Sequence, residues 1–176
     1  MTFTHRLATA DDLAALRLVM GAAIEELQKD HLSPEEIASS RAIMGIDTQL
    51  IQDGTYYVVL DGEDVAGCGG WSRRATLYGG DHTPGRDPEL LDATCDAARV
   101  RAMYTDPAFA RRGVGRLILS LCERAARDEG FTRLELMGTL AGESLYAAYG
   151  FTVIERLTDD RGGVAVPLVR MSKPIG

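Results

Sequence analysis

Residues that bind metal ions or form disulfides are scarce in this sequence. It has three cysteines and three histidines among 176 residues, and none stands at a metal-ligand spacing. The cysteines are Cys68, Cys95 and Cys122, an odd number, and two of them fall in elements expected to be buried. The sequence therefore predicts no metal site, and unpaired thiols of this kind fit a reducing cytoplasm.

Positive charge and long apolar runs are lacking as well. The net charge is -7 at pH 7, which argues against a nucleic-acid partner because such a partner needs a basic face. No apolar run approaches the roughly 18 residues of a membrane span. The first residues also lack the apolar core of a signal peptide. We therefore expect a cytoplasmic protein with no membrane partner, built as one domain with a core of ordinary size.

The most informative segment runs from Tyr104 to Gly115 and reads Tyr-Thr-Asp-Pro-Ala-Phe-Ala-Arg-Arg-Gly-Val-Gly. It joins a strand to an amphipathic helix through a turn whose N–H groups and helix dipole favour an anion, above all a phosphate. Gly113 and Gly115 lack a Cβ, so the backbone can approach a bulky ligand. The arginines beside the turn are Arg111, Arg112 and Arg116. The segment favours a phosphorylated cofactor; the alternative is a structural turn whose glycines serve close packing.

Hydrophobic periodicity predicts a chain of alternating strands and helices. The predicted strands are 3–7, 55–60, 65–71, 98–105, 133–137, 151–157 and 164–171. The predicted helices lie at 13–27, from 34 onward, at 114–128 and at 143–149, with a short helical turn at 47–51. The order is β-α-α-β-β-β-α-β-α-β-β. Segment 72–97, rich in glycine, proline and charge, is either a functional loop or a disordered insertion.

This order of elements, with strand, proline, arginines, Gly-x-Gly and helix at its centre, resembles the GNAT superfamily of acyl-CoA-dependent N-acyltransferases. A second motif agrees, because residues 146–151, Tyr-Ala-Ala-Tyr-Gly-Phe, look like the family's Tyr-x-x-x-Gly-Phe. The resemblance spans nearly the whole chain and is most specific over 103–151. It implies an α/β (α+β) fold with a mixed central sheet of about seven strands flanked by helices. It also implies a single N-acetyltransferase domain over 1–176, with 72–97 as a long loop or insertion.

The resemblance implies acetyl-CoA as acyl donor, no metal, and direct attack of a primary amine on the thioester. Backbone groups of Met103 and Thr105 would bond the pantetheine arm, and Tyr146 would act as general acid on the leaving thiolate. The alternative for Tyr146 is a core tyrosine bonded to a carbonyl. The residues whose N–H groups would hold the pyrophosphate are Arg111, Arg112, Gly113, Val114, Gly115 and Arg116.

The sequence departs from the family pattern in three places. Ala110 stands where Gln or Arg is usual, and Leu140 stands where an asparagine is common. Several relatives place a Glu or His base on the strand before the turn, where this chain has Arg99 and Arg101, which cannot act as bases at neutral pH. The base is left open between water, an amine that binds already neutral, and five side chains. These are Glu135, Glu25, Glu26, Asp81 and His82.

The acceptor is expected to be a small-molecule amine. By strand alternation Arg99 and Arg101 would share a face with Met103, and if that face lined the acceptor cleft they would favour a carboxylate or phosphate. The alternative, which we favour, is that both arginines pair with the chain's own acids. Trp71 and Tyr78 lie where a loop could cover the acceptor, although Trp71 is also a natural core anchor.

Other functions and assemblies stay open at this point. The chain could be a non-catalytic acyl-CoA-binding or sensing module on the same fold, or a protein N-terminal acetyltransferase. A homodimer is left open. A Rossmann-type dinucleotide site fits poorly, because its glycine fingerprint follows the first strand and here the turn comes after several strands.

Overall fold

The computed structural model describes residues 2–176. It confirms the predicted α/β architecture, a seven-stranded mixed sheet with flanking helices. The strands are β1 (Thr4–Leu7), β2 (Tyr56–Asp61), β3 (Asp64–Ser72), β4 (Ala98–Thr105), β5 (Arg133–Thr139), β6 (Thr152–Asp159) and β7 (Val166–Pro174). The helices are α1 (Leu13–Glu26), α2 (Pro34–Ser40), α3 (Thr48–Gln52), α4 (Val114–Asp128) and α5 (Glu143–Tyr149).

Local sequence signals fix several of these boundaries. Ser33 caps α2 by accepting the Glu36 N–H at 3.1 Å, and the Glu36 side chain accepts the Ser33 N–H at 2.9 Å. This is the reciprocal capping box, and the proline that follows Ser33 suits the first helical position. Gly62 turns the β2–β3 hairpin with a φ of +62°, a conformation in which glycine carries no steric penalty.

The sheet has the strand order β1-β2-β3-β4-β5-β7-β6, and within residues 2–176 only β4 and β5 are parallel neighbours. Their pairing is short, with Ala98 opposite Leu134 and Arg99 opposite Glu135. Beyond these two pairs the strands diverge, whereas β5 and β7 stay paired along the whole of β5. The divergence opens a gap in the middle of the sheet.

Two hydrophobic clusters cover the two faces of the sheet. On one face α1, through Leu16 and Ile24, packs with Val58 of β2. On the other face α4, through Ile118, packs with Leu134 of β5. The gap between β4 and β5 therefore lies between two layers of packed side chains, one on each face of the sheet. Among residues 2–176, no helix is both long enough and apolar enough to span a membrane.

A β-bulge changes the faces of β4. The register shifts so that Cys68 lies opposite Tyr104 but Gly70 lies opposite Arg101, and Ala102 has a φ of +49°. The extra residue places Met103 in the cluster with α4, whereas Ala102 packs in the cluster with α1. The prediction that Arg99 and Arg101 share a face with Met103 is therefore wrong, because a bulge breaks the alternation of side chains.

Segment 72–97 folds back on itself as an irregular hairpin. The Ala75 N–H donates to the Glu89 carbonyl at 2.8 Å, and the Leu91 N–H donates to the Arg73 carbonyl at 2.8 Å. An isolated bridge joins Arg74 to Leu90. Segment 72–97 is therefore an ordered loop and not a disordered insertion.

Candidate active site

A cleft of about 90 Å³ occupies the gap between β4 and β5, and we call it the β4–β5 cleft. One part of its wall comes from β4, β5 and α5. The other part comes from two loops, residues 43–45 and residues 77–79. The lining residues that bear on function are Tyr78, Arg101, Ala102, Met103, Tyr104 and Tyr146. The cleft therefore brings together four predicted site residues, which are Tyr78, Arg101, Met103 and Tyr146.

The edge of β4 that faces the cleft has no strand partner. Pairing with β5 ends at Arg99, so the stretch that contains Met103 and Thr105 offers backbone groups toward the gap. A free strand edge can bond an extended ligand as an added strand does. This geometry suits the predicted contacts to a pantetheine arm.

The glycine turn, residues 106–113, leads from β4 into α4 through two left-handed residues. Arg111 has a φ of +62° and Gly113 a φ of +88°. Asp106 closes the start of the turn, since its carboxylate accepts the Ala108 N–H at 2.9 Å. The Leu117 N–H donates to the Gly113 carbonyl at 3.0 Å, so the amides of the first helical turn before it have no helical acceptor. The fifteen-residue α4 thus begins with amides and a positive dipole end available to an anion.

Gly113 and Gly115 differ in what the absence of a Cβ makes possible. A Cβ on Gly113 would have no heavy atom within 4 Å, so the position is open for a ligand to approach. A Cβ on Gly115 would lie 2.5 Å from Cδ2 of Leu145, so this glycine lets α4 pack against α5. The packing alternative explains Gly115, and the argument from close ligand approach applies to Gly113 alone.

Three exposed arginines surround the turn and extend its positive field. The Arg116 guanidinium lies 5.4 Å from the centre of the Tyr149 ring, and that of Arg112 lies 5.6 Å from the centre of the Phe109 ring. Arg111 completes the set. Stacked guanidinium groups keep their charge available to phosphate oxygens.

Tyr146 lies in the wall of the cleft with its ring against the backbone. A Cβ on Gly142 would lie 2.8 Å from the ring, and one on Gly138 would lie 3.0 Å from it, so both glycines make room for the tyrosine. Phe151 holds the ring edge to face at 6.1 Å between centroids. Burial raises the pKa of Tyr146 to about 12, which keeps the hydroxyl protonated and able to donate at neutral pH.

Tyr149, the other tyrosine of the motif, makes its contacts outside the cleft. Its hydroxyl donates to the Glu123 carboxylate at 2.7 Å, and the Lys173 ammonium lies 5.2 Å from its ring centre. Tyr149 is not among the residues that line the cleft. Only Tyr146 of the pair reaches the gap between the strands.

Arg101 is nearly inaccessible and bonds within the chain. Its Nη2 lies 2.9 Å from Oδ2 of Asp47 and 2.6 Å from the Gly79 carbonyl oxygen. Arg99 is bonded to Glu135 at 3.2 Å and does not line the cleft. Arg99 and Arg101 therefore both pair with acids of the chain, which is the alternative that we favoured over a role in acceptor binding.

Trp71 and Tyr78 are placed differently from each other. Trp71 is 2% exposed and packs edge to face on Phe131 at 6.0 Å, so it lies in the core. Tyr78 lines the cleft, and its hydroxyl donates to the Asp159 carboxylate at 2.7 Å. Burial, together with Asp159, raises the pKa of Tyr78 to about 12.

Several residues of the site escaped the sequence reasoning. Asp159 ends β6 and Asp47 precedes α3, and neither belongs to a motif that would single it out. Tyr56 donates its hydroxyl to the Ala102 carbonyl at 2.6 Å and so holds the bulge, and Tyr104 accepts the Gly45 N–H at 2.9 Å. Long-range contacts of this kind leave no local pattern in a sequence.

None of the five side chains proposed as the base lines the cleft. Each has a partner elsewhere. Glu135 bonds Arg99 and Arg170, Glu25 bonds Arg41, Glu26 bonds Lys29, Asp81 accepts the Thr48 N–H, and His82 bonds the Arg41 carbonyl. Within residues 2–176 no group of three or more His, Cys, Asp or Glu side chains could hold a metal ion.

Comparisons with known proteins agree with this geometry. The family model of the acetyltransferase (GNAT) domain matches residues 52–153, more than half of the chain. A search of curated proteins found no match.

Solved structures share the fold at low sequence identity. A GCN5-related N-acetyltransferase from Rhodopseudomonas palustris is 19% identical, with a TM-score of 0.72 over 99% of this chain and 96% of that one. The PaiA N-acetyltransferase from Thermoplasma acidophilum, solved in complex with coenzyme A, is 15% identical, with a TM-score of 0.65 over 99% of both chains. A ribosomal-protein-alanine N-acetyltransferase from Escherichia coli is 16% identical, with a TM-score of 0.61 over 99% of this chain and 95% of that one.

The diverging strands, the glycine turn at the head of α4, the tyrosine in the cleft wall and the family match lead to one assignment. The chain belongs to the GNAT family of acetyltransferases.

Proposed function

We propose that this protein transfers an acetyl group from acetyl-CoA to the primary amine of a small molecule, by direct attack on the thioester. The observation that carries this proposal is the β4–β5 cleft, which has Tyr146 and Met103 in its wall together with Tyr78 and Gly79 of the 72–97 segment. We propose likewise that 1–176 form one N-acetyltransferase domain. A cytoplasmic setting fits three free cysteines.

The donor site fits coenzyme A on three observations. The open position at Gly113 and the unpaired amides at the start of α4 suit a pyrophosphate. The unpartnered edge of β4 suits the pantetheine arm. Together they support a thioester bound in the gap, on the side of Tyr146.

Tyr146 supports the departure of the thiolate. When the amine has added to the thioester carbonyl, the tetrahedral intermediate collapses and its C–S bond breaks. The electron pair goes to sulfur, where a neutral hydroxyl can donate its proton. The pKa of about 12 keeps Tyr146 in the donating form across physiological pH.

The amine must also lose a proton, and Tyr78 supplies a route. The titratable side chains that line the cleft are Tyr78, Arg101, Tyr104 and Tyr146, so no carboxylate of the described residues faces it directly. Because Tyr78 donates to Asp159, its oxygen keeps lone pairs for the ammonium. As Tyr78 accepts a proton from the amine, it passes its own proton to Asp159, whose side chain is 6% exposed. We propose this pair as the proton acceptor.

The covered acceptor side supports a small acceptor. Arg101 fixes the backbone of Gly79, and Tyr78 reaches from the same loop to β6. A cleft with this loop in its wall suits a small amine better than an extended peptide chain.

The test is coenzyme A release from acetyl-CoA with two panels of acceptors. One panel holds small primary amines, and the other holds peptides with free N-termini. Acetylation of small amines with peptides inactive is the expected result. Turnover of peptides alone would make the chain a protein N-terminal acetyltransferase. Tight acetyl-CoA binding with no turnover on either panel would make it a sensing module.

A further inference from the structure

The wall of the β4–β5 cleft divides between the two faces of the sheet. On one side lie Met103, Leu136 and Tyr146, which pack in the cluster with α4. On the other side lie residues that pack in the cluster with α1, and we call them the α1-side wall. They are Ile43, Met44, Tyr78, Tyr104, Met137 and Leu168. The cleft therefore borders both layers that cover the sheet.

The α1-side wall is the part of the cleft that an acceptor would contact, and this step rests on the proposed function. The proposed coenzyme A site begins at the head of α4, which packs on the face of the sheet opposite α1. With the donor on the α4 face, an amine can reach a thioester in the gap from the α1 face. Tyr78, the proposed proton acceptor, belongs to that side. The chemistry of the α1-side wall should therefore select the acceptor.

Charge that is free to pair with a ligand is lacking in this part of the cleft. Among the described residues that line it, the one charged side chain is Arg101, which is 2% exposed and lies 2.9 Å from Asp47. Asp159, which accepts from the Tyr78 hydroxyl, already has Arg161 at 3.3 Å. The other polar side chains of the lining, Thr139 and the tyrosines, are neutral at pH 7. The reacting ammonium can use Tyr78, but a second charged group on the acceptor would find no counterion.

Apolar side chains make up most of the α1-side wall. Ile43 and Leu168 are buried, 5% and 4% exposed, and Met44 and Met137 are half-buried. Methionine side chains are flexible and adapt to apolar ligands of varied shape. Burying a charge against such a wall without a counterion is costly, whereas burying apolar surface is favourable. We propose that the acceptor is a primary amine on an uncharged, apolar body, with no carboxylate and no second ammonium.

Two pairs of amines of matched size test this with the wild-type protein. Pentylamine and 1,4-diaminobutane differ only in that a second ammonium replaces a methyl group. 3-Methylbutylamine and 3-aminopropanoate differ only in that a carboxylate replaces an isopropyl group. The measurement is kcat/KM from coenzyme A release, counted per amino group. We expect the apolar member of each pair to exceed its charged partner by about tenfold or more.

The outcomes separate this inference from the proposed function. A ratio near one, or a preference for the charged member, in either pair overturns the inference and leaves acetyl transfer to small amines in place. No turnover of any of the four amines overturns the proposed function, and the inference with it.

A change of preference locates the acceptor. Met44→Glu puts a carboxylate into the α1-side wall, and Met44→Gln is the neutral control of the same shape. Relative to Met44→Gln, Met44→Glu should raise the ratio of kcat/KM for 1,4-diaminobutane over pentylamine by about tenfold or more, as a new charge-assisted bond does. An unchanged ratio in a folded Met44→Glu protein overturns the placement of the acceptor at this wall. If that variant does not fold, the two amine pairs decide with the wild-type protein alone.

Discussion

Arg101 and Asp47 form an ion pair in which both side chains are almost fully buried, 2% and 3% exposed, with 2.9 Å between Nη2 and Oδ2. The pair joins β4 to the residue before α3. Through the Gly79 carbonyl, Arg101 also fixes the loop that covers the β4–β5 cleft. The Arg101 guanidinium is therefore used in bonds within the chain, to Asp47 and Gly79. It is not free to bind the carboxylate or phosphate of an anionic acceptor.

Arg101→Ala should lower the free energy of unfolding by about 3 kcal/mol, the lower end of the cost of breaking a buried pair, because Asp47 keeps Arg86 at 2.8 Å as a second partner. All acceptors should lose activity alike. Arg6→Ala, which breaks an exposed pair with Asp12, is the control and should cost about 1 kcal/mol or less. Urea unfolding gives the stabilities, and kcat/KM for a matched amine and amino acid gives the specificity. A stable Arg101→Ala protein that loses only carboxylate-bearing acceptors would restore the anionic-acceptor hypothesis.

Gly113→Asp should abolish acetyl-CoA binding with the fold retained, since it puts a carboxylate where the pyrophosphate is proposed to lie. Gly62→Asp is the matched control, because Gly62 also has a positive φ and open space around its Cβ position. Both variants put an Asp at a positive φ, +88° at Gly113 and +62° at Gly62, and add the same charge, so a loss of binding in Gly113→Asp alone reports the ligand site. Calorimetry with acetyl-CoA measures it. Equal affinities in the two variants would remove the phosphate assignment.

Tyr146→Phe should lower kcat by about 10²–10⁴-fold and leave the acetyl-CoA dissociation constant nearly unchanged. Since the pKa of Tyr146 is raised to about 12, this residue should cause no loss of activity between pH 8 and pH 10. Tyr149→Phe is the control, because that hydroxyl bonds Glu123 outside the cleft. The measurement is steady-state kcat for both variants, under conditions where the chemical step is rate-limiting. A Tyr146→Phe turnover within twofold of wild type speaks against the role.

Tyr78→Phe and Asp159→Asn should each reduce kcat/KM by about 10²-fold, because each interrupts the proposed proton route. The double variant should be no slower than either single one, as expected for residues that act as a unit. Tyr57→Phe, at a half-buried position outside the cleft, is the control. Supplying the acceptor at higher pH, where more of it is neutral, should restore part of the rate. Additive losses that pH does not relieve would indicate a structural role.

Asp53→Asn should remove stability at neutral pH and not in acid. The Arg74 guanidinium, which donates to Asp53 at 2.7 Å, holds the pKa of that carboxyl below its usual value. A depressed folded-state pKa stabilises the protein above the unfolded value of about 3.9 and loses the effect as pH falls through the folded value. Urea unfolding of both proteins should therefore differ at pH 7, and the difference should begin to shrink at about pH 3.9 and vanish as the pH falls through the lower folded-state pKa. Asp30→Asn, at an exposed site, is the control for the loss of one surface carboxylate.

The periodic parts of the fold were predictable from sequence. In α4 the apolar positions recur at helical spacing, and the helix begins at Val114 and ends at Asp128 as predicted. The strand 98–105 and the helix 143–149 also have the predicted bounds. These elements bury one regular face, so local pattern and tertiary packing agree.

The parts that failed depend on contacts between distant residues. Ala102 has no preference for a positive φ, and the bulge there is held by the Tyr56 hydroxyl, 46 residues earlier. Asp159 reaches the cleft only through Tyr78, 81 residues away. The contact of Leu145 with Gly115 is of the same long-range kind, so sequence spacing could not show that this glycine also serves packing.

The short pairing of β4 with β5 has a consequence for the range of acyl donors. Two residue pairs at one end, Ala98 with Leu134 and Arg99 with Glu135, form a hinge between two halves of the sheet that are each internally laddered. No further residue pair between β4 and β5 closes the other end of the gap within residues 2–176. The main chain therefore sets no fixed limit on acyl length. Under the proposed function, we expect discrimination between acetyl and longer groups to rest on side chains that line the gap, Leu136 and Leu168 among them.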